Sequence, residues 1–299
     1  MSRLGFGWMG SKNGIAKELI AQLPAGEVFV DLFAGGCSIT HAAMLSGKWR
    51  RFIANDIKGT AVFFKRAIEG RVPNLYEWIS RDEFVARRDH DVKVAAAWSF
   101  GNNGSQYLWG YDKMDAKLAA FKMLTLPTVE ERYAAYKEFV TELEKLQSTQ
   151  SLGQIESLQR LQSLQALNGI KSVQGTCDPA LLSAFACDYR QVSIPDGAVV
   201  YADPPYEATY AHGNDYRGAH FDNASFWQWA DAQPFPVFVS EYSAPESFAE
   251  VWSVQKRSLI GSYKTEKVAT ERLFVQERFA NEFRKQEQST QPELLEAVS

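Results

Sequence analysis

The sequence predicts an α/β fold, and three observations carry that reading. Val28–Phe33 is a short, apolar, β-rich run, followed by Ala34-Gly35-Gly36-Cys37-Ser38 and then by a helical pattern from Ile39 to Leu45. Strand, glycine turn and helix in that order open a βαβ unit. Further apolar runs at 51–54, 198–202 and 236–240 each end on polar residues: Asn55-Asp56, Asp203-Pro204-Pro205-Tyr206 and Glu241-Tyr242. The stretch 71–184 is mainly helical in pattern and richer in charge and Gln, as an insertion between two parts of one sheet would be.

Residues 1–70 and 185–280 are therefore read as one sheet-bearing domain, with strand signals resuming near 190, and 71–184 as an inserted region. The tail 281–299 is Gln/Glu-rich with few apolar anchors and is expected to be frayed. In open α/β sheets ligands lie beyond the carboxyl ends of the strands. That rule places Gly35, Gly36, Asp56, Asp203 and Glu241 along one rim. Within the insertion, Ser-Leu-Gln recurs at 157–159 and 163–165, and Leu152, Ile155, Leu158, Leu161, Leu164 and Leu167 fall every third residue. A step of three turns about 300° on a helix, so such a stripe drifts around the axis. The segment 146–168 is either a helix apolar nearly all round or not a plain α-helix, and it either packs internally or faces DNA.

The chain has 299 residues, 45% hydrophobic, 13% aromatic and 23% charged, which excludes a disordered chain, a collagen and a coiled coil. No run approaches the ~18 apolar residues of a spanning helix, and no charged start leads into an apolar stretch. A cytoplasmic protein without membrane association is the expectation. Cys37, Cys177 and Cys187 are too few and too scattered for a disulfide framework, and no zinc spacing accompanies them. No metal is expected. His41, His90, His212 and His220 lack partners at ligand spacing and read as structural or exposed, and Trp227 and Trp229 read as core. Net charge is −4, which is not the footprint of a nucleic-acid binder. Residues 1–75, however, carry ten Lys/Arg against five Asp/Glu, densest at Lys48-Trp49-Arg50-Arg51. That cluster is either a solvated helix end or a phosphate contact.

The chemistry begins at Asp203-Pro204-Pro205-Tyr206. Two prolines stop the strand and fix the turn. An acid, rigid backbone acceptors and an aromatic ring then converge on one point. The exocyclic amino group of a nucleobase is a poor nucleophile because its lone pair is delocalised into the ring. Two acceptors binding its N–H groups draw the nitrogen toward tetrahedral geometry, and a stacked ring fixes the base plane. A base must leave the duplex to reach such a site. Gly35 and Gly36 either admit a ligand close to a helix N-terminus or form a tight turn. Asp56 either accepts the hydroxyls of a ribose or caps a helix. The glycines are not a dinucleotide fingerprint.

Together these residues resemble the DNA adenine N6-methyltransferases of the Dam-like, D12 class, in their phage-encoded form. The resemblance runs from the N-terminus to about residue 276. Trp8-Met9-Gly10-Ser11-Lys12 is similar to the family's Trp-x-Gly-Gly-Lys motif, Asp31 to Gly36 to its Phe-x-Gly-x-Gly motif, and Asp203 to Tyr206 to its Asp-Pro-Pro-Tyr. The recognition region lies between the last two, the order of the α group. Trp98 to Gly104 resembles the family's Asn-Gly-containing loop.

The resemblance implies a Rossmann-like methyltransferase sheet with a mainly helical inserted DNA-recognition region. It implies S-adenosyl-L-methionine (AdoMet) as cofactor and double-stranded DNA as partner, and leaves room for a homo-oligomer. Trp8, Lys12, Asp31, Phe33, Gly35, Gly36, Asp56, Asp188, Tyr189 and Asp203 would bind AdoMet. Asp203, Pro204, Pro205 and Tyr206 would be catalytic. Lys12 would also lie near the DNA. Apart from the resemblance, Lys48, Arg50, Arg51, Arg87 and Arg88 are either phosphate contacts or solvated surface charges, and Asn102, Asn103 and Gln106 either meet adenine edges or cap their loop. An orphan enzyme of a phage or prophage, acting in a bacterial cytoplasm, is implied by the resemblance. The departures are Gly7 where the family often has Lys, Ser11 for the second motif glycine, and Cys37 for the last glycine of the second motif; the family's GATC target is therefore not carried over. Methylation of RNA, of a protein amide or of cytosine N4 would go with Asn-Pro-Pro-Tyr or Ser-Pro-Pro-Tyr. A catalytically silent binding protein would not need the intact turn.

Overall fold

The computed structural model describes residues 4–147, 161–206, 221–259 and 266–281. In chain order the helices are α1 (Ala16–Gln22), α2 (Ser38–Ser46), α3 (Thr60–Ile68), α4 (Arg81–Arg87), α5 (Val92–Ala97), α6 (Met114–Thr125), α7 (Val129–Gln147), α8 (Gln162–Ser172) and α9 (Asn223–Asp231). The strands are β1 (Val28–Asp31), β2 (Arg51–Asn55), β3 (Leu182–Phe185), β4 (Val199–Ala202), β5 (Val237–Glu241), β6 (Phe248–Leu259) and β7 (Glu266–Gln276). The chain divides into two compact units. The first comprises residues up to 14, 35–41 and 58–180, and the second 15–34, 42–57 and the residues from 181 on.

The sheet belongs to the second unit and runs β3-β2-β1-β4-β5-β7-β6. β1 to β5 are mutually parallel, and β7 is antiparallel to both β5 and β6. Every residue of β1, β4 and β5 is buried, as central parallel strands require. This is the Rossmann-like α/β sheet the sequence predicts. From β1 the chain steps outward through β2 to β3, then returns to lay β4 against the other side of β1. The carboxyl ends of β1 and β4 therefore flank the topological switch point, where such sheets hold ligands.

One face of the sheet presents Val28, Val30, Val200, Ala202, Val237 and Val239 to Phe226 and Ala230 of α9. Burying side chains of this size stabilises the fold by roughly 1.5–3 kcal/mol each. α9 is begun by Asp222, whose carboxylate accepts the Ser225 N–H at 2.9 Å. Trp229 packs edge-on against Tyr189 at 5.0 Å and Trp227 against Phe248 at 4.8 Å, both partly buried on this core.

Three strands depart from expectation. β3 begins at Leu182, before the expected return of strand signals near 190. It is an edge strand that buries Leu182 but exposes Ser183 and Phe185, so it leaves no apolar run to find. β6 and β7 form a hairpin whose sequence mixes apolar and charged residues without a regular alternation, so no strand period marks it.

The first unit is built on aromatic rings. Trp78 stacks on Trp109 at 5.4 Å and meets Trp98 edge-on at 4.9 Å, with Phe121 against both Trp78 and Trp98. Ser80 and Glu83 close a capping box at the start of α4. Residues 148–160 of the Ser-Leu-Gln repeat lie outside the described residues, as do His212, His220 and 282–299. The repeat's last part is an ordinary helix: α8 buries Ser163, Ala166, Leu167 and Ile170, a face of 3.6-residue period.

Candidate active site

At the rim of the sheet the ends of β1 and β2 are joined by one buried side chain. The Asn55 amide donates to the Leu32 carbonyl at 3.1 Å and to the Cys187 carbonyl at 3.0 Å, and accepts the Cys187 N–H at 3.1 Å. Its own carbonyl accepts the Ala34 N–H at 2.8 Å. Asn55 thus sets where Asp56 and Asp188 stand. The sequence reading passes over it; its one signal is a polar residue closing an apolar strand. Asp188 is forked by Arg190 at 2.7 and 2.8 Å, and that bond holds its carboxyl below the usual range. Phe33 is set among Tyr189, Phe221 and Phe226, with ring centres 5.2–5.6 Å away. Beside Asp56, Ile57 is 69% exposed, an apolar side chain offered to solvent at the rim.

β4 delivers Asp203, half-buried, followed by buried Pro204 and exposed Pro205. The Tyr206 hydroxyl donates to Glu271 Oε2 of β7 at 3.0 Å, and its ring meets Tyr242 edge-on at 4.8 Å. Glu241, buried, accepts the Tyr242 N–H at 2.8 Å, and the Tyr201 hydroxyl bonds Ser240 at 2.8 Å. Burial first, then the neighbouring carboxyls of Asp203 and Glu271, push the Tyr206 phenol far above its ordinary range. Tyr201 is raised in the same way, by burial and then by Asp203. Both phenols therefore stay protonated. With Asp31 buried at the end of β1, this rim favours a cation over an anion.

The other motif residues lie in the first unit. Phe6 donates its N–H to the Gly36 carbonyl at 2.9 Å, and a Cβ on Gly36 would come within 2.4 Å of the Phe6 carbonyl oxygen. Gly35 has φ +48°. Gly36 is therefore required by the chain's own close approach and Gly35 by its left-handed backbone. Lys12 is buried. Met9 donates its N–H to the Asn102 carbonyl at 3.3 Å, which ties the Trp8–Lys12 segment to the loop after α5. In that loop the Asn102 amide donates to the Ala96 carbonyl at 2.5 Å, and Asn103 Oδ1 accepts the Ser105 N–H at 2.8 Å. Both amides close the loop, while Phe100 and Gln106 face solvent. His41 is buried: its Nδ1 accepts the Gly5 N–H at 2.9 Å and its Nε2 lies 3.0 Å from Thr176 Oγ1. Burial holds it neutral, with a pKa of about 4, so its role is structural.

Residues 8–92 match the family model of D12 class N6 adenine-specific DNA methyltransferases. Over that segment the chain is similar to D12-class sequences. The match contains Trp8–Lys12, Asp31–Gly36 and Asp56 and stops before Trp98 and Asp203. No curated protein matches the chain. No helix among the described residues is long and apolar enough to cross a membrane.

The backbone explains two departures from the D12-class motifs. Gly10 has φ +77°, but Ser11 has no positive φ, so serine fits there without strain. Cys37, in the place of the last glycine, has φ +58° and is buried. What glycine offers there is the left-handed conformation rather than smallness, and cysteine carries a strain of roughly 1–2 kcal/mol.

The basic residues have partners within the protein. Lys48 donates to the carbonyls of Ile20, Ala21 and Leu23 at 2.9, 2.9 and 2.6 Å, closing the C-terminus of α1. Arg50 and Arg51 lie 3.9 and 3.6 Å from Glu27, at the amino end of β2. That end is a strand length, about 13 Å, from the carboxyl rim. Arg87 is bound by Glu77 and Asp91 at 3.0 and 2.8 Å, and Arg88 donates to the Ser105 carbonyl. Arg87, ahead of Lys93, holds the Glu77 carboxyl down to about 2.

Proposed function

We propose that the protein is a site-specific enzyme that transfers a methyl group from AdoMet to N6 of an adenine flipped out of double-stranded DNA. The observation that carries this is the Asp203-Pro204-Pro205-Tyr206 turn at the carboxyl end of β4, beside the β1/β4 switch point and among carboxyl groups.

The residues present fit AdoMet by the chemistry of their donor set. Asp31, Asp203 and Glu241 suit a positively charged sulfonium and α-ammonium. Asp56 suits a ribose diol, and the adjacent exposed Ile57 suits a flat apolar ring. Asp188, Tyr189 and Phe33 would complete that side. In the first unit Trp8, Lys12, Gly35 and Gly36 are proposed on the resemblance alone. When bound, AdoMet supplies an activated methyl group on a good leaving sulfur.

The chain's own residues then do three things. Asp203 and the Pro204 carbonyl accept the two N–H bonds of the target amino group, freeing its lone pair. Tyr206 stacks on the base. The methylated nitrogen, an acidic ammonium, loses its proton to Asp203 or to water, so Asp203 need not be a strong base. Positioning and electrostatics supply the rate. Residues 71–184 are the proposed recognition region, with Gln106 the exposed amide suited to an adenine edge.

The test is incubation with AdoMet and unmethylated DNA, followed by sequencing for N6-methyladenine. Modification within one short motif, weakening as salt rises, is the expected outcome. Absence of methyladenine from a preparation that binds AdoMet overturns the reading.

A further inference from the structure

We propose that Glu271 is a positioning residue for Tyr206, holding its ring in the plane that a target base needs. The inference rests on the adenine-methylation reading above. The two prolines fix the backbone as far as Pro205, but they leave the Tyr206 side chain two rotatable bonds. A ring that swings about those bonds is a poor stacking platform, because stacking depends on the plane. Two contacts remove that freedom. The hydroxyl is held at 3.0 Å by Glu271 Oε2, and the ring edge lies against Tyr242 with centres 4.8 Å apart and planes 78° apart.

The anchors are themselves fixed. Glu271 is 8% exposed and stands on β7, an interior strand of the sheet, hydrogen-bonded on both sides. Tyr242 directly follows β5 and donates its N–H to buried Glu241. Burying a carboxyl group costs free energy that only hydrogen bonding offsets, and an apolar residue would fill the same place on β7 more cheaply. A phenylalanine at 206 would stack as well as tyrosine but could not be anchored. The hydroxyl and its buried acceptor are thus the parts that turn an aromatic residue into an oriented one, and a site gains precision when its supports sit on rigid elements.

Three proteins test this: Tyr206→Phe, Glu271→Met and the double variant, assayed for single-turnover methylation at saturating AdoMet, with AdoMet affinity measured separately. Losing a hydrogen bond to a charged group is expected to slow each single variant about tenfold. The double variant should be no slower than either single, because both remove one interaction, and AdoMet affinity should stay unchanged. Glu271→Gln keeps an acceptor and should recover most of the rate, but only while Tyr206 is tyrosine. Full rate in Tyr206→Phe, or losses that multiply in the double variant, overturns the proposal. Should Glu271→Met fail to fold, Tyr206→Phe and Glu271→Gln still decide it. A wild-type protein that methylates no adenine overturns the parent reading instead, whereas a fully active Tyr206→Phe overturns this one alone.

Discussion

The two ends of the parallel sheet carry opposite charge and use it differently. At the amino ends, Lys48 is consumed by three carbonyls at the end of α1, and Arg50 and Arg51 sit beside Glu27. At the carboxyl ends, Asp31, Asp203, Glu241 and Glu271 gather around buried Tyr201 and half-buried Tyr206. Lys48 closes the fold, Arg50 and Arg51 stay exposed beside Glu27, and the acids line the proposed site. Lys48, part of the basic excess of residues 1–75 that on its own suggests a phosphate-binding face, is structural.

The contrast can be broken from either end. Asp203→Ala has the largest expected effect: methyl transfer at saturating AdoMet should fall by about 10³ or more, far more than AdoMet affinity falls, while the melting temperature holds. Radiolabel transfer to DNA checks it, and full activity with intact cofactor binding would refute the assignment. Lys48→Met should do the reverse. It leaves two carbonyls of α1 and that of Leu23 just after it without their cation and should cost roughly 2 kcal/mol in denaturant unfolding, with the rate per folded molecule unchanged. Replacing Arg50 and Arg51 together by Ala should change least. Exposed ion pairs contribute about 0–1 kcal/mol, and the salt dependence of DNA binding should not move. A shallower salt slope would show that this end does meet phosphates.

Much of this was legible in the sequence, and the remainder was hidden for identifiable reasons. An apolar run closed by a polar residue marks a buried parallel strand, so β1, β2, β4 and β5 and their rim could be read directly. β3 could not, because an edge strand with one buried residue has no such run. The Asp-Pro-Pro-Tyr turn declared itself because consecutive prolines have few other uses at a strand end. Glu271 did not, because its role exists only through a partner 65 positions away. Asn55 was obscured by the more familiar Asp56 beside it. Cys37 and Ser11 look like equal departures from the D12-class motifs, and only the backbone torsions separate the strained one from the harmless one. Charge was the least legible property: Lys48, Arg51 and Arg87 are alike on paper, and only their partners tell a helix cap from a surface charge or a buried network.

The order of strands has a consequence for how the chain folds during synthesis. β7 is the last strand among the described residues, yet it lies inside the sheet, between β5 and β6. A chain leaving the ribosome exposes its motifs long before that strand exists. Through that interval β5 has an open edge, and Tyr206 has no Glu271 to hold it. The hairpin that arrives last seals the edge against wrong partners and orients the ring in the same event. A chain that stops before β7 would carry the Asp203–Tyr206 turn and still lack Glu271, the support proposed to aim Tyr206.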